Sequence, residues 1–380
     1  MIFEGSGVVD QVNYAVLDTA KQQFIAAAQS TLDFASSYGK VPESGLGASA
    51  NVFKLALDGF DTSDSLGLSL ISEGLGTADD ARPSDLTDEE AEKFWYNIGI
   101  KTVACLTNDV ASSALQPLLL SLYLPSSTPE TVFNPLFMKG FTDGIVEGCK
   151  TVGSVYISGE TPQLKSKIFA DKIDIAGAVI GIEIPGLPKI DRANFGVGNE
   201  IVFIESSGPH ENGFTPIREL AARLPKGFRT VLKDGRQLWQ AANAPSNLYV
   251  PLVKEILALG IAPTALENVS GHGWQKIMRS KLALNYIIRH TLPVPEIFNF
   301  LQEQLALDTL DMLEIFNYGV GFVVFVKNTN EADQVVGVAK RLGLNAVHAG
   351  SVENSHNEMR NVIIDPFRVS LIGESFILKY

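Results

Sequence analysis

The stretch Ser206-Ser207-Gly208-Pro209-His210-Glu211-Asn212-Gly213 joins the apolar run Ile201-Val202-Phe203-Ile204 to the helical pattern of Phe214–Leu224. A strand, a polar turn and a helix follow one another. The turn holds two hydroxyls, an imidazole, a carboxylate and an amide between two glycines, a density of chemistry that a plain connection does not need. Gly208-Pro209 sets a sharp bend, and Asn212-Gly213 can cap the helix or adopt positive φ. The free N–H groups at that helix start favour an anion such as a phosphate. A hydrogen-bonded turn without any ligand is the other reading of the same residues.

The chain around this stretch has 380 residues, which predicts two domains of roughly 150–200 residues. Hydrophobic residues make up 46% and charged residues 19%, a globular composition rather than a disordered one. A net charge of -13 argues against a broad nucleic-acid surface and against binding anionic membrane by charge alone. An anionic small substrate then needs local help from a metal ion or from backbone N–H groups. Cys105 and Cys149 both sit in apolar helical patterns, so they are expected as small core residues rather than a disulfide or a thiolate site. Ile2–Val12 is too polar for a signal peptide, and no uncharged run reaches the ~18 apolar residues of a membrane span. A soluble cytoplasmic protein is expected.

Ahead of the central turn, Phe3–Val8 contains glycines, Tyr14–Ala35 has helical spacing, and Glu43–Ala50 reads as a small-residue loop. Leu66–Ile71 predicts a strand running into Ser72-Glu73-Gly74-Leu75-Gly76-Thr77. Glycines at this spacing let a backbone pass close to phosphates, and Glu73 could hold Mg²⁺. Asp79–Lys93 reads as a solvated acidic insertion, with Thr87 and Glu90 at capping-box spacing ahead of a long helix. On that helix Thr107-Asn108-Asp109 lies between apolar residues on both sides. A carboxylate there is expensive unless it binds a cation, is paired or caps the helix. Leu118–Leu124 predicts a strand, Asn134-Pro135 a helix start, and Val155–Ile157 a strand with Gly159 and Glu160 at its end, where α/β ligands gather. Glu160 is therefore a second candidate acid, with an ordinary turn residue as the alternative. Ile173–Ile184 is a long β-type run, and Pro185–Pro188 marks a boundary between domains 1–186 and 187–380.

The second half predicts a helix over Asn247–Leu259, a strand over Leu266–Ser270, and a helix from Gly273 to about Leu282. Further helices are expected over Pro295–Leu305 and Glu331–Leu342, and strands over Phe322–Val326, Ala346–Ser351, Val362–Ile364 and Phe367–Leu378. His290, His348 and His356 lack clustered partners, and Trp95, Trp239 and Trp274 read as packing.

Taken in order, these motifs resemble the aminoimidazole ribonucleotide synthetase family, the phosphoribosylformylglycinamidine cyclo-ligases of PurM-like type. The resemblance rests on Ser206–Gly213, on Ser158-Gly159-Glu160-Thr161 with Asp174–Gly177, and on Phe316-Asn317-Tyr318-Gly319-Val320-Gly321. Thr107-Asn108-Asp109, Ala244-Pro245 with Tyr249-Val250, and Phe298–Gln302 add to it. Selenophosphate synthetase, thiamine phosphate kinase and the hydrogenase maturation protein share the superfamily. The resemblance implies an α+β / α/β fold of two domains, the first forming a β-barrel across a homodimer and the second closing over an ATP site. It implies ATP and Mg²⁺ as cofactors and a ribonucleotide as substrate, activated as an amide phosphate before ring closure. Glu73, Asp109 and Glu160 would hold metal, and Gly74, Gly76, Thr77, Asn108 and Gly159 would line the nucleotide. His210 and Asn212 would act with Asp109 and Glu160 in catalysis. Ser206, Ser207, Gly208, His210 and Asn317 would face the substrate.

The chain departs from the family where charge matters. The family's Thr-Asp-Gly-Val-Gly-Thr-Lys stands here as Ser72–Ala78, so the lysine is gone. Its Thr-Gly-Gly-Gly becomes Ser270-Gly271-His272-Gly273. Two alternatives follow, an ATP-dependent PurM-like enzyme with another substrate and a non-catalytic dimeric homologue. Lys54 and Lys101 are the lysines considered as replacements.

Overall fold

The structure, a computed structural model, describes residues 39–40, 52–56, 65–184, 186–356 and 359–373. The readings of Phe3–Val8, Tyr14–Ala35 and Glu43–Ala50 lie outside the described residues. Two sheets organise the chain. The first has the order β1-β2-β3-β6-β4-β5, built from Gly39–Lys40, Val52–Ala56, Ser65–Gly74 (β3), Leu115–Tyr123 (β4), Val155–Glu160 (β5) and Ala176–Glu183 (β6). The second has the order β13-β12-β9-β11-β7-β10-β8. Its strands are Glu200–Glu205 (β7), Ala265–Asn268 (β8), Leu284–Ile288 (β9), Val320–Val326 (β10), Ala346–Asn354 (β11), Arg360–Ile364 (β12) and Val369–Gly373 (β13). Each sheet is antiparallel except for one pair, β4 with β5 and β9 with β12. This is the mixed α/β arrangement in two units that the strand and helix patterns predict.

Helix α1, Asp88–Ala111, is the spine of the molecule, 24 residues and so about 36 Å long. Its start is the expected capping box. The Glu90 N–H donates to Thr87 Oγ1 at 3.3 Å, and the Thr87 N–H donates to Glu90 Oε2 at 3.0 Å. From Phe94 to Ala111 nearly every residue is buried, as expected for a helix covered on all sides. Leu106 and Val110 press on Gly177 and Gly181 of β6. A second stripe meets the next long helix of this half, Pro135–Val152, capped by Asn134 Oδ1, which accepts from the N–H groups of Leu136 and Phe137. There Gly140 and Gly144 leave no room for a Cβ against the Glu92 and Tyr96 carbonyls, and Gly148 would meet the Val103 Cβ at 2.8 Å. Glycine is required because backbone touches backbone.

The second sheet is thicker. Ile201–Ile204 and all of β10 are buried, so both faces are covered. Phe214–Arg223, Val250–Ala258, Glu296–Leu305, Thr309–Ile315 and Thr329–Arg341 are its helices of seven or more residues.

Three expectations are corrected. Asp79–Lys93 is not solvated throughout, because Ala78, Asp79 and Ala81 are buried and Arg82 stacks its guanidinium 4.4 Å from the Trp95 ring. Burial and the neighbouring Asp80 push the Asp79 carboxyl up to about 7. The helix from Gly273 toward Leu282 is only a 3₁₀ run, Gly273–Met278. His272 and Gly273 both have positive φ, and Trp274 is drawn inward by donating Nε1–H to the Asn317 carbonyl at 2.8 Å. The last strand covers only Val369–Gly373 of the described residues, after a 3₁₀ turn at Asp365–Phe367. No helix among the described residues is long and apolar enough to cross a membrane.

Candidate functional site

The third stripe of α1 is polar. Asn97, Lys101, Cys105, Asn108 and Asp109 recur at helical spacing, and all but Cys105 bond to the second half of the chain. Asn97 Nδ2 donates to the Asn243 carbonyl at 2.9 Å, and Lys101 Nζ to the His210 carbonyl at 2.6 Å. Asn108 is used at both ends. Its Nδ2 donates to the Asn247 carbonyl at 2.8 Å, and its Oδ1 accepts from the Tyr249 N–H at 2.9 Å. Asp109 Oδ1 accepts from Asn268 Nδ2 at 2.9 Å. Cys105 Sγ lies 3.7 Å from the Gly74 carbonyl. One helix face thus gathers the end of β3, the Ser206–Gly213 turn and the end of β8 along a single polar seam, the candidate cleft.

The turn itself is held from beneath. Asn317 Nδ2 donates to the Gly208 carbonyl at 2.8 Å, and its Oδ1 accepts from Ser206 Oγ at 2.8 Å. Ser207 Oγ donates to the Pro245 carbonyl at 2.6 Å. His210 is 2% exposed at φ +56, and its Nε2 accepts from the Ser207 N–H at 3.3 Å, which leaves the ring proton on Nδ1. Burial, then the Lys101 ammonium, hold His210 down at about 3. Gly213, at φ +78, starts the helix with no side-chain cap and packs so closely on Phe316 that a Cβ would overlap the ring.

Charge in the cleft is concentrated and buried. Lys101 is fully buried, and desolvation lowers it to about 8 in spite of the Glu211 carboxylate beside it. Burial raises Glu211 in turn, with Lys101 opposing. Cys105 is pushed well above the ordinary thiol value by burial and by Glu211, Glu73 and Asp109. Lys276 contacts Ser270 Oγ and is lowered by burial, although the Asp109 charge acts to raise it.

These positions sort the expected residues. Glu73, Gly74, Asn108, Asp109, Ser206, Ser207, Gly208, His210 and Asn212 belong to the walls of one cleft, Asn212 through Oδ1, which lies 3.2 Å from where a Gly271 Cβ would stand. Gly76, at φ +57, and Thr77 continue the turn after β3. Glu160 is not brought to Glu73 and Asp109. It pairs with Tyr123, whose side chain leaves the sheet on the face opposite the buried Leu122, whereas Glu73 lies in register with Ile71 and Val179 on the helix-covered face. Gly159 is opposite Leu122. Glu160 thus stands apart from Glu73 and Asp109, and among the described residues no group of three or more His, Cys, Asp or Glu is placed to hold a metal. His210 has its Nε2 engaged by the Ser207 N–H, and burial with the Lys101 charge lowers its basicity, which disfavours proton exchange near neutrality. Asn317 holds the turn rather than facing a substrate. Asp109 is not a helix cap, and Cys105 packs at the edge of the core as expected, with its Sγ toward the Gly74 carbonyl.

Lys101 enters the sequence reading only as a replacement lysine, and Glu211, Glu267, Asn268 and Lys276 do not appear there as site residues. The spacing of Lys101, Cys105 and Asp109 in steps of four was a usable signal. Nothing local marked Lys276.

The AIR synthase related protein family matches through its N-terminal domain at residues 82–182 and its C-terminal domain at residues 196–362. A phosphoribosylformylglycinamidine cyclo-ligase of Prochlorococcus marinus is 28% identical over 272 residues, 70% of this chain and 77% of that protein. The enzyme of the same name from Bacillus subtilis is 32% identical over 266 residues, 67% of this chain and 73% of its own length. Among solved structures, AaThiL complexed with AMPPCP and TMP superposes with a TM-score of 0.56 at 13% identity, covering 96% of this chain and 97% of that one, a likeness of fold. The chain belongs to the AIR synthase related family.

Proposed function

We propose that the chain is an ATP-dependent cyclo-ligase that closes formylglycinamidine ribonucleotide to aminoimidazole ribonucleotide in purine biosynthesis. The carrying observation is that the Glu73–Gly74 strand end and the Ser206–Asn212 turn converge with Asp109 on one stripe of α1. Relatives named as cyclo-ligases match 70% and 67% of the chain.

The residues fit a magnesium nucleotide in a limited way. Mg²⁺ is commonly held by one or two carboxylates together with substrate phosphates, and Glu73 and Asp109 are such a pair. Space beside Gly76 is open, with nothing within 4 Å of its Cβ direction. Bound ATP and Mg²⁺ would supply the phosphoryl group that turns the formyl amide oxygen into a leaving group. The chain's own residues do the rest. Asn268 fixes one oxygen of Asp109, Asn317 and Ser206 set the shape of the turn, and neutral His210 supports it from within. Asn212 stands at the mouth. The exposed apolar side chains Leu70, Ile180, Tyr123 and Val155 on the face of the first sheet away from α1 are the surface through which two copies would pair.

The reading is tested by following ADP and aminoimidazole formation with Mg-ATP, with and without formylglycinamidine ribonucleotide. Formation of both that requires the ribonucleotide, and falls roughly a hundredfold in Asp109→Asn, is expected. Turnover of ATP that ignores this substrate would instead favour a relative acting on another one, a reading that the replacement of the turn lysine by buried Ala78 supports. No nucleotide binding at all would leave a non-catalytic dimeric homologue.

A further inference from the structure

Ala78 is 1% exposed, so the turn after β3 offers no cation where the family it resembles carries lysine. Neither lysine first considered can take its place. Lys54 is paired with Glu183, which also binds Lys189 at 2.8 Å, and it lies opposite Gly67 on the sheet. Six residues of extended strand separate Gly67 from Glu73, about 20 Å. Lys101 is occupied by the His210 carbonyl, with Glu211 as its counter-charge.

Lys276 is placed differently. It comes from the second half of the chain, in the 3₁₀ run after His272, and is 7% exposed. Its ammonium rests on the neutral Ser270 hydroxyl, two residues beyond Asn268, which itself holds Asp109. The carboxylates whose fields reach it are those of Asp109, Glu267 and Glu73. Of these Glu267 is engaged by Arg279, its Oε2 lying 3.3 Å from Nη1. A lysine buried on a hydroxyl, within reach of the charge of two acids of the other half, is costly unless its charge is used.

We propose that Lys276 supplies, from the opposite wall of the cleft, the positive charge for nucleotide phosphates at the Glu73–Thr77 turn that Ala78 cannot provide. The inference rests on the ATP reading above. In the free protein the ammonium balances Glu73 and Asp109. With phosphates present it serves them, and Ser270 is the positioning residue that aims it. Because the lysine and the turn belong to different halves, tight nucleotide binding then depends on how the halves are seated against each other.

The experiment is calorimetric titration of the full-length protein with AMPPCP, with and without Mg²⁺. Lys276→Gln is expected to weaken binding roughly tenfold or more, the worth of a charge-assisted hydrogen bond. Lys276→Arg should restore most of it, which a merely structural role would not. Lys276→Met, similar in length and without hydrogen-bonding demands, replaces the glutamine variant should that fail to fold. A parent protein that binds AMPPCP, with glutamine or methionine variants that bind equally well, overturns this inference and leaves the proposed function standing. A parent that does not bind AMPPCP overturns both.

Discussion

Helix α1 meets its two large neighbours by opposite means. Against Pro135–Val152 the contact is made by absence, with Gly99, Gly140, Gly144 and Gly148 letting backbone lie on backbone. Against the second half it is made by polar side chains, with Asn97, Lys101, Asn108 and Asp109 each bonded across the seam. A glycine seam has no partner to exchange, so parting it only exposes apolar surface to water. A seam of hydrogen bonds can part with water taking each vacated place, apart from the charged pair at its centre. The first contact belongs to a rigid unit, whereas the second is the construction a nucleotide cleft needs.

The largest test falls on that charged pair. Lys101→Met leaves the partly buried Glu211 without its counter-charge and the His210 carbonyl without its donor, and should lower unfolding stability by about 3 kcal/mol. Pairing it with Glu211→Gln should recover much of the loss in chemical denaturation. If the single variant is as stable as the parent, the polar seam is weaker than its burial suggests and the contrast fails. A smaller loss is expected on the other side. Gly144→Ala places a Cβ into the Tyr96 carbonyl and should cost about 2–3 kcal/mol by overpacking. Gly148→Ala, facing the Val103 side chain at 2.8 Å where Gly144 faces a carbonyl at 2.1 Å, should cost less. The glycine variants should leave nucleotide affinity unchanged when measured below their melting temperature.

The two seams also differ in how far the sequence announced them. The elements of α1 were legible because their causes are local. Thr87 and Glu90 cap it, Asn134-Pro135 opens its neighbour, and apolar spacing marks the strands on either side. The turn at Ser206–Gly213 was legible for the same reason. What Asn317, Lys276 and Asn268 do was not, because each acts on residues that the fold brings to it from far along the chain. Asn317 reads as a motif residue, yet it is spent on Ser206 and Gly208 more than a hundred positions away. Glu160 misled because a strand end names the edge of a sheet but not its face. The face depends on register, and here a shift between Leu120 and Ser121 decides it. His210 misled because its type suggests proton exchange near neutrality, while its burial disfavours it.

The smallest effect lies where the polar seam reaches the surface. Glu90 caps α1 and also receives Arg229 of the second half as a fork, with Nη1 donating to Oε1 at 2.6 Å and Nη2 to Oε2 at 2.8 Å. Those bonds, followed by the Thr87 N–H, hold the Glu90 carboxyl down at about 2. Its value in the unfolded chain is higher, so the pair contributes above about pH 4.5 and loses its effect as pH falls from there toward 2. Both groups are partly exposed, and solvent screening limits the contribution to about 1 kcal/mol. Arg229→Gln should therefore be less stable than the parent by that amount at pH 7 and equal to it near pH 2, by denaturant titration at each pH. A difference that persists unchanged in acid would assign the role of Arg229 to the Asp85 carbonyl and Gln237, its neutral partners, and would make this end of the seam as insensitive to charge as the glycine contact on the other side of the helix.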